Sequence, residues 1–269
     1  MEIKFSIRES MAPGRTITER FENLAKMGFA GVEILTESTD RKHVAEIKAA
    51  SKATDICPNI FSSRSLAILD VRRSEREAAV AAFKEALSIC GECGGVGVIL
   101  PPLISVMCMG GQRIPDLSPL ATTAQLERDL LTVILKDLAN HAQQVGADVI
   151  IEPLNRYEQW WPCTLQHGID ICEAVGEPGI SIMADFFHMN IEDAHFDESI
   201  RQAGTLIKNV HLADSQRLLP GHGHTDFRPG LQALAEIGYD DYMGFECGIP
   251  GDPFVELPKS MDYLRGVLA

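Results

Sequence analysis

Short apolar runs alternate with longer amphipathic segments along the whole chain. The runs Lys4–Ile7, Gly31–Leu35, Ile56–Ile60, Gly95–Leu100, Asp148–Glu152, Ser181–Asp185, Lys208–His211 and Tyr242–Glu246 have the length and apolar content of buried strands. Helical periodicity recurs between them. Thr16–Met27 places Ile17, Phe21, Leu24 and Met27 on one apolar stripe, and Gly28 follows as a natural cap. Glu75–Cys90, Leu126–Val145 and Leu165–Val175 repeat the pattern, followed by Gly91, Gly146 and Gly176. Strands that alternate with helices imply parallel pairing through right-handed crossovers. Eight such units predict an α/β fold, a (β/α)8 TIM barrel, as one domain over residues 1–269. An open doubly wound sheet is disfavoured. Its first strand usually runs into a glycine-rich phosphate loop, and here it runs into Arg8-Glu-Ser-Met-Ala-Pro-Gly14.

Charge narrows the partners. Lys and Arg total 24 against 38 Asp and Glu, a net charge of −14. Such a surface repels phosphate backbones and anionic lipid, so neither nucleic acid nor membrane is expected as a partner. The uncharged stretch Gly94–Gly111 contains Pro101, Pro102 and five glycines, which suit a buried strand and loop rather than a membrane helix. Met1–Arg20 lacks a continuous apolar leader, and the seven cysteines are scattered and odd in number. Both point to the cytoplasm. Cys90 and Cys93 form a single C-x-x-C with no second pair to complete a zinc site, and are expected to be two small residues at a helix end. The longest loop-like stretch, Pro101–Thr122, follows the fourth strand and should lie over the functional face, either as a lid or as a plain connection.

The chemistry concentrates in the second half. Four successive strands end on Glu152, Asp185, His211 and Glu246, with gaps of 33, 26 and 35 residues, each close to one β/α unit. The C-terminal strand ends of a barrel ring one mouth, so these side chains should converge. Three carboxylates and an imidazole suit one divalent ion, Mn²⁺, Mg²⁺ or Co²⁺ rather than thiolate-bound zinc. Burying the acids together without a cation would be costly. His188 lies three residues past Asp185, Arg217 six past His211 and Glu158 six past Glu152. A histidine and an arginine beside a metal can polarise a carbonyl oxygen, and two glutamates on opposite sides of a ketose can remove and return a proton.

The segments Ile151-Glu-Pro-Leu-Asn-Arg156, Asp185-Phe-Phe-His-Met189, His211-Leu-Ala-Asp-Ser-Gln-Arg217, Pro220-Gly-His-Gly-His-Thr-Asp-Phe227 and Gly244-Phe-Glu-Cys-Gly248 resemble the xylose-isomerase-like barrel superfamily. More narrowly they are similar to ketose 3-epimerases of the D-tagatose 3-epimerase type, with hydroxypyruvate isomerase close by. The resemblance implies a metal held by Glu152, Asp185, His211 and Glu246. Glu152 and Glu246 would also be the acid/base pair on opposite faces of a cis-enediolate. His188 and Arg217 would hold substrate oxygens, and Glu158 a hydroxyl. The partner would be a small sugar or hydroxy-carbonyl compound, and the assembly a homo-oligomer, dimer or tetramer.

The first half carries no specific match, so the sugar is not identified. Trp160 and Trp161 either wall the pocket or pack in the core or at an oligomer contact; His222 and His224 either hold a second metal or serve the loop. The alternatives on this scaffold are a hydroxypyruvate-type isomerase, an inosose or dehydroshikimate-type dehydratase, an apurinic-site endonuclease and a non-catalytic sugar binder. The endonuclease is disfavoured by the acidic charge and by the few histidines among the strand-end residues.

Overall fold

Each expected strand forms. In the computed structural model, which describes residues 2–268, they are β1 (Lys4–Ile7), β2 (Gly31–Ile34), β3 (Cys57–Ser62), β4 (Gly97–Leu100), β5 (Asp148–Ile151), β6 (Ile180–Asp185), β7 (Ile207–Leu212) and β8 (Tyr242–Phe245). All pair in parallel, in the order β1-β8-β7-β6-β5-β4-β3-β2. The ring is closed between β1 and β2 by a parallel bridge from Arg8 to Glu33 and by the Ala30 N–H, which donates to the Phe5 carbonyl at 2.8 Å. This is the single-domain TIM barrel the alternation predicts.

Among the described residues ten α-helices accompany the strands: α1 (Ile17–Met27), α2 (Arg41–Thr54), α3 (Arg73–Cys93), α4 (Ile104–Cys108), α5 (Thr123–Val145), α6 (Leu165–Val175), α7 (Phe186–Glu192), α8 (Phe196–Ala203), α9 (Arg228–Glu236) and α10 (Pro253–Leu268). Local signals set their ends. Capping boxes at Thr16/Glu19, Thr122/Gln125 and Thr164/His167 start α1, α5 and α6. The Thr122 box places the start of α5 three residues before the expected Leu126. Helix α3 runs through Gly91, since one helical glycine costs only about 1 kcal/mol. It stops at Gly94, whose φ of 76° ends the helix.

The main core lies between strands and helices, with Phe21, Leu24, Phe83, Leu135 and Leu138 among its fully buried side chains. Inside the barrel, Ile60, Ile150 and Met183 form a smaller apolar layer. Above it, toward the C-terminal strand ends, the interior turns polar.

The stretch 101–122 is fastened at several points. The Leu103 N–H donates to Gln159 Oε1 at 3.3 Å and the Gln112 N–H to Asp70 Oδ2 at 3.0 Å. Arg113 holds the fully buried Glu127 of α5 with two hydrogen bonds of 2.8 and 2.7 Å, and the Trp160 indole donates to the same carboxylate at 2.9 Å. These contacts fasten the segment, and its first residues, Pro101 and Ile104, line the cavity at the strand ends. Arg128 lies over both Trp160 and Trp161, whose rings stack at 5.9 Å outside that cavity. Glu127 is fully buried although Arg113 is exposed, so removing the guanidinium leaves a buried carboxylate short of two donors. Arg113→Ala should therefore lower stability by roughly 1–2 kcal/mol, read by chemical denaturation. A loss under about 0.5 kcal/mol, the range of ordinary surface substitutions, would mean that the clamp is not what holds the segment.

Candidate metal and active centre

Register and alternation gather the strand ends. Asp185 pairs with His211, and His211 with Gly244, two residues before Glu246. Successive side chains alternate between the two sides of a strand, so residues two apart share the barrel interior. Glu152 follows the interior residue Ile150 by the same step. One ligand atom from each of Glu152, Asp185, His211 and Glu246 lies within 4.8 Å of all the others. The first three side chains are buried and Glu246 nearly so.

His211 faces the acids with Nδ1, which is 3.1 Å from Glu246 Oε2, 3.4 Å from Asp185 Oδ2 and 3.9 Å from Glu152 Oε1. That nitrogen is buried and makes no hydrogen bond. An orphaned ring nitrogen surrounded by carboxylate oxygens fits a divalent cation, with three hard oxygen donors and one imidazole. The ring's other nitrogen is fixed: Nε2 sits 2.9 and 3.0 Å from the two oxygens of Glu33. Glu33 also accepts from Asn209 Nδ2 at 3.2 Å. A carboxylate behind a ligating histidine sets its tautomer and raises its basicity. Gly244 makes room for this pair, because a Cβ there would come within 2.7 Å of Glu33 Oε1.

The protonation states follow from these contacts. Burial disfavours the imidazolium of His211, but Glu33 and Asp185 outweigh it and push the ring up to about 10. Burial likewise opposes the charge of Glu33, yet His211 holds it below the usual carboxylate range. Asp185 is also held well below that range: burial opposes it, but His188 and His211 prevail. Its Oδ1 caps α7 by accepting the Phe187 N–H at 2.8 Å, which leaves Oδ2 for the centre. Burial pushes Glu152 up, and His211 and His188 offset only part of this.

Other side chains border the cluster. His188 accepts the Asn155 N–H on Nδ1 at 3.1 Å, and its Nε2 lies 3.6 Å from Asp185 Oδ2 and 3.4 Å from Arg217 Nη1. Arg217 donates to Glu246 Oε2 at 2.7 Å and lies 3.8 Å from Glu158 and 4.5 Å over the Phe187 ring. Its backbone is left-handed, φ 57°, a conformation that costs a residue with a Cβ roughly 1–2 kcal/mol. Arg8 pairs with the other oxygen of Glu246. A cavity of about 170 Å³ joins Glu152, Glu158, His211, Arg217 and Glu246 to Arg8, Thr36, Ser62, Ser63 and the apolar Leu66, Ile99, Ile104 and Leu154. It is small against the roughly 300–1,000 Å³ usual for drug-sized ligands, and so suits a small molecule.

All seven residues expected from the sequence thus meet at one mouth. His222 and His224 do not join: His222 lies 3.8 Å from Glu256, and His224 is exposed. Cys90 and Cys93 are free thiols on α3, Cys90 buried and both pushed up by burial. Sequence reasoning missed Glu33, Arg8 and Asn155. A lone glutamate inside the apolar strand Gly-Val-Glu-Ile was the available signal for the first.

Two outcomes test this centre. Glu33→Gln should weaken divalent-ion affinity about 10–100-fold, measured by calorimetry with Mn²⁺; unchanged affinity would remove Glu33 from the centre. His211 must lose a proton to bind a cation. Because its metal-free value is raised to about 10, binding near pH 7 should release about one proton. Affinity should then climb about tenfold per pH unit until pH 10 is approached. Calorimetry in buffers of different ionisation heat reads the proton directly, and binding without release would contradict the assigned state.

The comparisons with known proteins agree with this geometry. The 3-dehydro-D-guloside 4-epimerase of Escherichia coli K12 is 28% identical over 93% of this chain and 94% of its own. The D-psicose 3-epimerase of Ruminiclostridium cellulolyticum is 33% identical over 46% of this chain and 40% of its own. The crystal structure of an E. coli 3-keto-D-glucoside 4-epimerase superposes with a TM-score of 0.86 at 26% identity, covering 98% of this chain and 100% of that one. These relatives are sugar epimerases, which are isomerases. Residues 21–267 match the family described as xylose isomerase-like TIM barrel, and the chain belongs to that family.

Proposed function

We propose that the protein is a metal-dependent epimerase that exchanges a proton at a carbinol carbon next to the ketone of a sugar. The convergence of Glu152 and Glu246 on one metal-competent cluster carries this reading. A divalent ion held by Glu152, Asp185, His211 and Glu246, with Mn²⁺ preferred to Mg²⁺ or Co²⁺, would stabilise the negative charge of the enediolate. Glu246 and Glu152 come from opposite ends of the β5–β8 arc, so they address opposite faces of a substrate between them. One removes the proton and the other returns one to the opposite face, forming the cis-enediolate and then the epimer. His188 and Arg217 hold substrate oxygens, and Glu158 accepts a hydroxyl.

The first reading is 3-epimerisation of a free ketose. The second is 4-epimerisation of a 3-keto sugar, favoured by one observation: the guloside 4-epimerase matches 93% of this chain, the D-psicose 3-epimerase 46%. A groove lined by Arg8, Ser10, Met11, Arg217, Cys247 and Gly248 adjoins the cavity and offers room for a substituent on such a sugar. An aldose–ketose isomerase or a dehydratase would use the same enolate. We also propose a cytoplasmic homo-oligomer, dimer or tetramer. Its seven free cysteines support the compartment, and the exposed Met107, Met109, Leu117 and Leu120 support an interface on the segment beside the mouth.

The test is a panel of free ketoses, 3-keto glycosides and hydroxypyruvate in D₂O with Mn²⁺, Mg²⁺ or Co²⁺. One deuterium at the epimerised carbon is expected. Product without deuterium under slow turnover would favour a hydride shift, and loss of one water would mark a dehydratase. Glu246→Gln should lower turnover by about 10²-fold or more; full activity would sink the acid/base assignment.

A further inference from the structure

We propose that Asp214 is the positioning residue of Arg217: its buried carboxylate gathers the loop 215–225 and thereby aims the guanidinium at Glu246. The proposal rests on the epimerase reading above for what Arg217 does, but not for how it is held.

Asp214 is almost wholly buried, at 1% exposure. Among the described residues no cation lies within salt-bridge distance of it. Its partners are instead four main-chain N–H groups. Oδ1 accepts from Ser215 at 2.8 Å and Thr225 at 3.0 Å; Oδ2 accepts from Gly221 at 3.0 Å and Gly223 at 2.8 Å. Every donor belongs to the loop between β7 and α9. A buried charge is tolerated only when its hydrogen bonds are complete, and these leave no lone pair of the carboxylate unused. Burial opposes that charge, and the backbone donors keep the carboxyl below the usual range.

The loop is built around this carboxylate. A Cβ on Gly223 would lie 2.3 Å from Asp214 Oδ1 and 2.0 Å from Gln216 Oε1, so only glycine lets the chain close over it. The backbone of Asp214 shapes the turn as well. Its carbonyl accepts the Arg217 N–H at 2.8 Å, and its own N–H donates to the Leu218 carbonyl at 2.8 Å. Arg217 occupies the left-handed position between them, φ 57°, a place usually given to glycine or asparagine. Such a conformation persists only where the surroundings over-determine it. The Gly248 N–H, donating to the Arg217 carbonyl at 2.8 Å, ties the turn to the segment that carries Glu246. The glycine-histidine segment 220–227 therefore has a role that needs no second metal: it supplies donors to Asp214.

The experiment is a double-mutant cycle with Asp214→Asn and Arg217→Ala, in the full-length protein loaded with Mn²⁺. Asp214→Asn should lower kcat/KM about tenfold or more in the wild-type background, since small misplacements of a binding group reach 10²-fold. It should cost under about twofold in the Arg217→Ala background, because residues that act together are non-additive. Mn²⁺ affinity should be unchanged. Equal losses in both backgrounds would make Asp214 merely structural and overturn the proposal. If Asp214→Asn does not fold, Gly223→Ala presses on the same carboxylate and is read in the same cycle. A second arm, run on the metal-free protein, needs no substrate. The Arg217 Nε–H resonance, assigned by its absence in Arg217→Lys, should move in Asp214→Asn, and an unmoved resonance overturns the proposal even if no keto sugar is turned over.

Discussion

Three carboxylates and an imidazole share one buried mouth, and their charge has to be balanced for the barrel to stand. Asp185 and Glu246 lie within 3.4 Å of His211 Nδ1, with Glu152 at 3.9 Å. In a site sheltered from water such a cluster is far more costly than on the surface. Two responses are built into the chain. His211 is pushed toward its charged form, and two guanidinium groups, from Arg8 and Arg217, pair with Glu246. Glu152, Asp185, His211 and Glu246 would answer the same demand more completely by holding a divalent cation, whose charge would offset all three carboxylates.

The residues that balance this charge also close the barrel. The bridge joining β1 to β2 runs between Arg8 and Glu33. From that seam the Arg8 side chain reaches Glu246 beyond β8, and the Glu33 side chain reaches His211 on β7. Ring closure and the support of the metal cluster are thus one structural fact. Replacing the Glu33 side chain with one that has no acceptor would leave the main-chain bridge in place but remove the partner of His211 Nε2 and the acceptor of Asn209 Nδ2.

The second half of the site was legible because a barrel converts a spacing into a place. Glu152, Asp185, His211 and Glu246 recur at about one β/α unit, and the fold alone brings them together. The same logic could not reach Glu33 or Arg8. Their partners lie far away in sequence, His211 and Glu246, and a single charged residue within or just past a short strand gives no pattern to count. Asn155 was visible inside Glu-Pro-Leu-Asn-Arg, but its role depends on a backbone N–H that points at His188 Nδ1, which residue type does not encode. Helix starts were misplaced where a polar cap, such as Thr122 with Gln125, extends the helix beyond its apolar stripe.

The division between the halves of the barrel bears on substrate choice. In the proposed reaction the metal-competent cluster and its two glutamates would act on an α-hydroxyketone unit, and that unit is the same whether the ketone stands at carbon two with exchange at carbon three, or one carbon further along. The cluster therefore does not select between a free ketose and a 3-keto sugar. In the proposed reaction selection would fall to the other side chains that line the cavity: Arg8, Thr36, Ser62, Ser63 and Leu66 from the first three β/α units, and Ile99, Ile104 and Leu154 from the next two. Arg8 is the charged member of that set and already contacts Glu246, so a substrate group that draws on Arg8 would also alter the surroundings of one member of the proposed acid/base pair. In the proposed reaction, recognition at the far end of the sugar and proton transfer at its reacting carbon would be coupled through that one guanidinium.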